Sequence, residues 1–150
     1  MRLWHKDLID VLPQKQLVAQ WRECCSIISN IARKGTPNHI LVNYVLDFSA
    51  DEYKEYTKLV INEMKRRGYK ISDTSFTNFI TNFNEAKKYF NNERKNKGGL
   101  YHNIHNKRYF WQCYMNIQEK YDRGMFSNEE FEKVWEKGKY YKERFGNVKY

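Results

Sequence analysis

Cysteine is scarce in this chain, and its three cysteines are poorly arranged for cross-linking. Cys24 and Cys25 are adjacent, which is an awkward geometry for pairing, and Cys113 is distant from both in the sequence. This pattern argues against a disulfide framework and favours a reducing compartment.

Long apolar runs are missing as well. No stretch approaches the roughly 20 apolar residues of a membrane span, and the first residues carry no apolar signal segment. We therefore expect a soluble, intracellular protein of the cytoplasm with no membrane partner.

The sequence also lacks the usual signatures of a bound cofactor. There is no glycine-rich phosphate loop and no Walker motif. His102 and His105 have a spacing that could share a metal ion, but no cysteine or carboxylate completes a ligand set. We expect neither a metal nor a nucleotide cofactor.

Positive charge and aromatic side chains are abundant. Lys and Arg number 27 against 18 acidic residues, which gives a net charge of +9, and aromatic residues make up 17% of the chain. Excess positive charge attracts polyanions, and flat aromatic faces can stack on bases, although most of these rings should belong to the core. The composition is compatible with nucleic-acid binding but does not demand it.

Helical periodicity runs through most of the chain. The first long helix is predicted from Pro13 to about Lys34, and the next one from Ser49 to Gly68, because each carries a stripe of apolar residues at helical spacing. The first stripe consists of Leu17, Trp21, Cys24, Ile28 and Ile31, and the second of Tyr53, Tyr56, Val60 and Met64.

The remaining helices follow from the same signals. We predict helical structure in two pieces from Ser72 to Lys95, a helix from about Ile104 to Arg123, and a last helix with Val134, Trp135 and Phe145 on one side. Two capping boxes, Ser49 with Glu52 and Ser127 with Glu130, mark helix starts. Residues 40–48 could be extended or a buried helical turn, and residues 91–99 form a polar, basic loop that we expect to be mobile. The prediction is an all-α fold, a single compact domain of about five helices spanning residues 1–150.

A charged constellation on the first long helix is the sharpest candidate for a functional site. Arg22 projects away from the apolar stripe, in nearly the same direction as Lys15 and Arg33, whereas Glu23 lies on the other flank of the stripe. By itself, this pattern is typical of a solvated polar face.

Three segments, in the same chain order, resemble the phage-type pyrimidine-dimer DNA glycosylase/AP lyase family. The run Leu17, Ala19, Trp21, Arg22, Glu23 is similar to the first-helix motif of that family. The segment from Lys65 to Thr74 is similar to its Lys-Arg-Gly-Phe segment that continues to Asp-Thr-Thr, and the segment from Asn116 to Lys120 is similar to its Arg-Leu-Asp-Glu-Lys stretch. The resemblance extends from near residue 8 to about residue 121.

The resemblance implies a glycosylase with coupled AP-lyase activity on damaged double-stranded DNA. We expect a monomer, because repair enzymes of this size often act as monomers. The nucleophile would be a free N-terminal α-amine, which here is that of Met1, because Met1-Arg2 takes the place of the family's mature Thr-Arg start. An α-amine suits such chemistry because its ordinary pKa of about 7.7–8.0 leaves a useful neutral fraction near physiological pH. Glu23 would stabilise the cationic sugar or imine and move protons.

DNA-binding residues are implied in the same way. Arg2, Arg22 and Lys120 would hold phosphates beside the lesion. The family ends in an aromatic and basic tail that grips the damaged strand, and the matching residues here are Lys139, Tyr140 and Tyr141.

Two departures from the family's pattern leave other interpretations open. The family has arginines where this chain has Ser26 and Asn116, so other cations such as Lys15, Arg33, Lys107 or Arg108 would have to compensate. The sequence also permits a non-catalytic, basic helical module that binds nucleic acid, or a basic interaction protein whose charge is incidental. The preferred lesion is not specified by these residues.

Overall fold

The structure is a computed structural model that describes residues 1–94, 96 and 98–146. Over these residues it contains α-helices and short 3₁₀ helices and no β-strand, which confirms the all-α prediction. No described helix is long and apolar enough to cross a membrane. The five α-helices are α1 (Gln14–Lys34), α2 (Ala50–Arg66), α3 (Asp73–Ala86), α4 (Lys107–Asp122) and α5 (Asn128–Phe145), and the 3₁₀ helices are Lys6–Val11, Asn43–Asp47 and Lys87–Tyr89.

Helix α1 lies at the centre of the fold, with α2 and α3 packed against it. Every residue of the two predicted apolar stripes, on α1 and on α2, is buried. The 3₁₀ helix Lys6–Val11 contacts α2, α4 and α5, and so joins the two ends of the chain. The core is therefore continuous from the first residues to the last helix.

The predicted capping boxes are only half formed. The hydroxyls of Ser49 and Ser127 accept hydrogen bonds from the backbone N–H groups of Glu52 and Glu130, as expected for N-caps. The glutamate side chains do not return to the serines, however. The Glu52 carboxylate accepts from the Tyr101 N–H, and the Glu130 carboxylate accepts from the Gln14 N–H at 2.8 Å. Each glutamate therefore ties a helix start to a distant segment.

Several predicted boundaries differ from the structure. Helix α4 begins at Lys107 rather than near Ile104, because the Asn106 side chain accepts from the Tyr109 N–H and caps the helix there. The undecided stretch 40–48 contains the 3₁₀ helix Asn43–Asp47. Within the predicted loop 91–99, residues 95 and 97 lie outside the described part of the chain.

The inner face of α5 was predicted in part incorrectly. Val134 is buried, but Trp135 and Phe145 are exposed to 46% and 48%. The buried ring of this helix is Tyr141, which stacks on Phe110 of α4 with the ring centroids 3.6 Å apart. Spacing alone could not distinguish these neighbouring aromatic residues, because each fits an amphipathic helix.

Two histidines lie in the core between the N-terminal segment and α4. His5 and His105 are buried, with their ring centroids 5.3 Å apart. Burial lowers the pKa of His5 to about 4, and it also lowers the pKa of His105, assisted by the charges of His5 and Lys6. Both ring nitrogens of His105 have hydrogen-bond partners, the Lys6 N–H and the Tyr44 hydroxyl. His105 therefore links the N-terminal segment to Tyr44 within the core.

Acid should therefore destabilise the fold. A pKa lowered in the folded state means that the unfolded chain binds more protons, so the free energy of unfolding should rise with pH between about 4 and 6.5, by about 3 kcal/mol from His5. Urea unfolding at pH 7.5, 6.5, 5.5 and 4.5 measures this dependence. His5→Asn keeps an acceptor for the Asp7 N–H but removes the titration, so its dependence on pH should be flatter.

The exposed histidine supplies the control. His102→Gln should keep the pH dependence of the unmodified chain, because His102 is exposed. An unchanged slope in His5→Asn would show that burial of His5 does not govern the acid sensitivity.

Candidate active site at the N-terminus

The first residues form an extended segment that is enclosed by three helices. Leu3, Trp4 and His5 are buried, although an extended segment cannot satisfy its own backbone groups. Side chains supply the missing partners. The Tyr56 hydroxyl of α2 donates to the Trp4 carbonyl at 2.6 Å, and the Tyr109 hydroxyl of α4 donates to the Leu3 carbonyl.

Gln20 of α1 provides the largest share of these hydrogen bonds. Its Oε1 accepts from the Trp4 N–H at 2.7 Å and lies 3.0 Å from the Tyr56 hydroxyl, whose single hydrogen it shares with the closer Trp4 carbonyl. Its Nε2 donates to the Arg2 carbonyl at 2.9 Å and to Glu23 Oε2 at 3.2 Å. A carboxamide has two acceptor and two donor positions, so this fully buried side chain uses all of them.

The same carboxamide brings the N-terminal backbone and Glu23 together. The Arg2 carbonyl and a carboxylate oxygen of Glu23 flank one nitrogen, Gln20 Nε2. Glu23 is half-buried, and Met1, the residue before Arg2, is 42% exposed. Met1 and the Glu23 side chain are therefore both accessible from solvent.

Arg2 and Arg22 have different surroundings. Arg22 is exposed, and its guanidinium has no hydrogen bond or ion pair within the described residues. Arg2 is half-buried, with its guanidinium 5.4 Å from the centroid of the Trp4 ring. Burial raises the pKa of Cys113 and of Tyr109, and the nearby Arg2 charge acts in the opposite direction on both. Arg2 therefore lies against α4, whereas Arg22 points to solvent.

One face of α4 runs from the N-terminal segment toward the C-terminal end of that helix. Tyr109, Cys113, Asn116 and Lys120 follow one another at i, i+4, i+7 and i+11, which is a single helical face. Tyr109 contacts the N-terminal segment, and Lys120 is half-buried near the C-terminal end of the helix. Lys120 thus lies about 16 Å along the helix from Tyr109, at a rise of about 1.5 Å per residue.

The structure separates the three predicted tail residues. Lys139 is exposed, with its ammonium 4.5 Å from the centroid of the Trp135 ring. Tyr140 is 54% exposed. Tyr141, in contrast, is 5% exposed and its ring is stacked on Phe110, so its face is already occupied by the core. Of the predicted tail, only Lys139 and Tyr140 present their side chains to solvent.

Sequence reasoning did not identify Gln20, Tyr56 or Tyr109 as part of this site. Tyr56 was assigned to an apolar stripe, and its hydroxyl gave no signal. Gln20 did give a signal. It follows Leu17 by three residues and precedes Cys24 by four, so its amide lies on the same side of the helix, beside the apolar stripe. A buried amide requires partners, and the extended N-terminal segment supplies them.

The fold and the site define a class of protein: a small, basic, all-helical domain whose N-terminal segment is fixed next to a glutamate on the central helix. A family model described as pyrimidine dimer DNA glycosylase matches residues 1–77. The chain belongs to the pyrimidine dimer DNA glycosylase family, which supports a role as a DNA glycosylase in repair. No curated protein and no solved structure matches the chain.

The matched range contains only part of the predicted site. Met1, Arg2, Arg22 and Glu23 lie inside residues 1–77, together with Gln20 and Tyr56. Lys120 and the three predicted tail residues lie outside it. The family match therefore bears on the N-terminal site and says nothing about α4 and α5.

Removing the Tyr109 hydroxyl should loosen the N-terminal segment. Tyr109→Phe leaves the buried Leu3 carbonyl without its donor, which should cost about 1–2 kcal/mol in the free energy of unfolding. Chemical denaturation measures the loss, and amide hydrogen exchange should accelerate at residues 3–5. Tyr140→Phe is the matched control, because that hydroxyl is exposed, and it should change neither quantity. Equal effects of the two substitutions would contradict the assigned role of the Tyr109 hydroxyl in holding the Leu3 carbonyl.

Proposed function

We propose that the chain is a DNA glycosylase with coupled AP-lyase activity, and that the α-amine of Met1 is its nucleophile. The observation that carries this proposal is the shared hydrogen bonding of Gln20 Nε2 to the Arg2 carbonyl and to the Glu23 carboxylate. It keeps the start of the chain next to an acidic group, and the family match covers both residues. The proposal requires that Met1 be the first residue and that its amine be free.

The proposed reaction begins on the sugar of the damaged nucleotide. The neutral amine attacks C1′, the C1′–N glycosidic bond breaks, and the released base takes a proton. The nitrogen then loses a proton, the C1′–O4′ bond breaks with protonation of O4′, and the opened sugar carries an imine between the Met1 nitrogen and C1′. A base removes a proton from C2′, the C3′–O bond breaks, and the 3′ phosphate leaves. Water then hydrolyses the imine and frees the amine.

Glu23 is the proposed catalytic carboxylate. Its charge would stabilise the cationic sugar and the protonated imine, and it would transfer protons during ring opening and elimination. No other acidic residue occurs on α1, whose sequence is QKQLVAQWRECCSIISNIARK. The second carboxylate oxygen, Oε1, has no hydrogen-bond partner in the described structure and is available for this task.

The proposed partner is damaged double-stranded DNA, bound by a monomer. Attack at C1′ requires the lesion to be exposed, so we expect bent DNA and a flipped nucleotide. Arg22, Arg2 and Lys120 are the proposed phosphate contacts, and Lys139 and Tyr140 extend the contact along α5. Of these, Arg22 is the best placed, because it is exposed and has no partner within the described residues.

Borohydride trapping of the untagged protein tests the mechanism. We expect a covalent adduct on a duplex with an abasic site and on one with a cyclobutane dimer, mapped to the Met1 amine by mass spectrometry. Intact mass beforehand establishes that Met1 is present and unmodified. Trapping on the abasic duplex alone would retain the lyase and withdraw the dimer specificity, and absence of both adducts would refute the amine mechanism.

Glu23→Gln should separate catalysis from binding. The substitution keeps the shape but removes the charge, so turnover on the abasic duplex should fall by about 100-fold or more while the Kd for DNA changes little. Glu85→Gln, on the exposed side of α3, is the matched control and should retain full turnover. A Glu23→Gln protein with unchanged turnover would exclude Glu23 from the chemistry.

Arg22→Ala should lower the affinity for DNA, and it should also make that affinity less dependent on salt concentration. Loss of one phosphate contact should reduce the slope of log K against log salt concentration by about one unit. The control is Arg66→Ala, because Arg66 is exposed but hydrogen-bonded to Glu63. Fluorescence anisotropy at several salt concentrations gives both slopes. Identical slopes for Arg22→Ala and the unmodified protein would remove Arg22 from the DNA contact.

A further inference from the structure

The buried carboxamide of Gln20 is the only side chain in the described structure that bonds both the N-terminal backbone and Glu23. We infer that Gln20 is a positioning residue for the reaction: it fixes the N-terminal segment and the Glu23 carboxylate relative to each other. This inference rests on the proposed function, since it concerns the geometry of the amine and the carboxylate. Gln20 does not need to touch DNA for this role.

The donor capacity of the amide is essential to the argument. Nε2 gives one hydrogen to the Arg2 carbonyl and the other to Glu23 Oε2, while Oε1 accepts from the Trp4 N–H. The bond from the Trp4 N–H sets the orientation of the amide, because a reversed amide would direct hydrogens at that N–H. The amide is thereby fixed with its hydrogens toward Arg2 and Glu23.

The position of Glu23 follows from this orientation. A bond from Nε2 to one carboxylate oxygen restricts the rotation of the Glu23 side chain and leaves its other oxygen free. Groups held in a productive geometry react much faster than groups that must find it. The arrangement therefore predicts that a change at Gln20 acts on the rate of the chemical step rather than on DNA binding.

Gln20→Met is the most direct test, because a methionine side chain has nearly the same length but no hydrogen to donate. It loses the bonds to the Arg2 carbonyl and to Glu23 and introduces no charge. At saturating protein, the rate of borohydride-trappable imine formation on an abasic duplex should fall about 10- to 100-fold. The Kd for the same duplex should stay within about twofold.

A matched substitution and a second variant keep the test decisive. Gln112→Met makes the same change at an exposed position of α4 and should leave rate and affinity unaltered. Tyr56→Phe removes the hydroxyl that contacts both Gln20 Oε1 and the Trp4 carbonyl and adds no charge, so the rate should fall by a few-fold, on the order of 3- to 10-fold. If Gln20→Met does not fold, Tyr56→Phe carries the test.

The outcomes distinguish this inference from the proposed function. Trapping by the unmodified protein with undiminished rates in Gln20→Met would overturn the positioning role and leave the amine mechanism intact. If Gln20→Met is unfolded, an undiminished rate in Tyr56→Phe would overturn the role in the same way. A loss of DNA affinity as large as the loss of rate would also overturn it. No trapping by the unmodified protein would refute the proposed function itself, and the role of Gln20 with it.

Discussion

The enclosure of an extended N-terminal segment is the constraint on which the rest of the structure depends. Buried backbone groups outside a helix or sheet must find partners elsewhere, and here the partners come from three helices. Gln20 of α1, Tyr56 of α2 and Tyr109 of α4 each hold a different part of residues 2–4. These bonds fix the relative positions of the helices as well as the position of the terminus.

Periodicity predicted the helices well because their stripes are local properties of the sequence. The apolar faces of α1 and α2 are buried as predicted, and Arg22 and Glu23 were identified from a motif on α1. The bonds that assemble the site were not predictable in this way, because they join residues far apart in sequence. Gln20 contacts Trp4 and Tyr56. The carboxylates of Glu52 and Glu130 accept hydrogen bonds from distant backbone N–H groups and do not complete their predicted capping boxes.

The two halves of the chain contribute differently to the proposed site. The family match covers residues 1–77, which contain the N-terminal segment, Glu23 and Arg22. Helices α4 and α5 lie outside it, and they support the segment through Tyr109 and the stacked pair Phe110 and Tyr141. Because Tyr141 is buried, part of the aromatic and basic pattern near the end of the chain builds the core and does not face solvent.

The fixed position of the N-terminal segment beside Glu23 is the central claim, and hydrogen exchange of the free protein tests it most directly. The Trp4 N–H and the side-chain amide of Gln20 are both buried and hydrogen-bonded, so NMR should show strong protection of both from exchange. Nuclear Overhauser contacts should also join the Gln20 amide protons to the α-protons of residues 2 and 3. Exchange of the Trp4 N–H at the rate of an unstructured peptide would contradict the account.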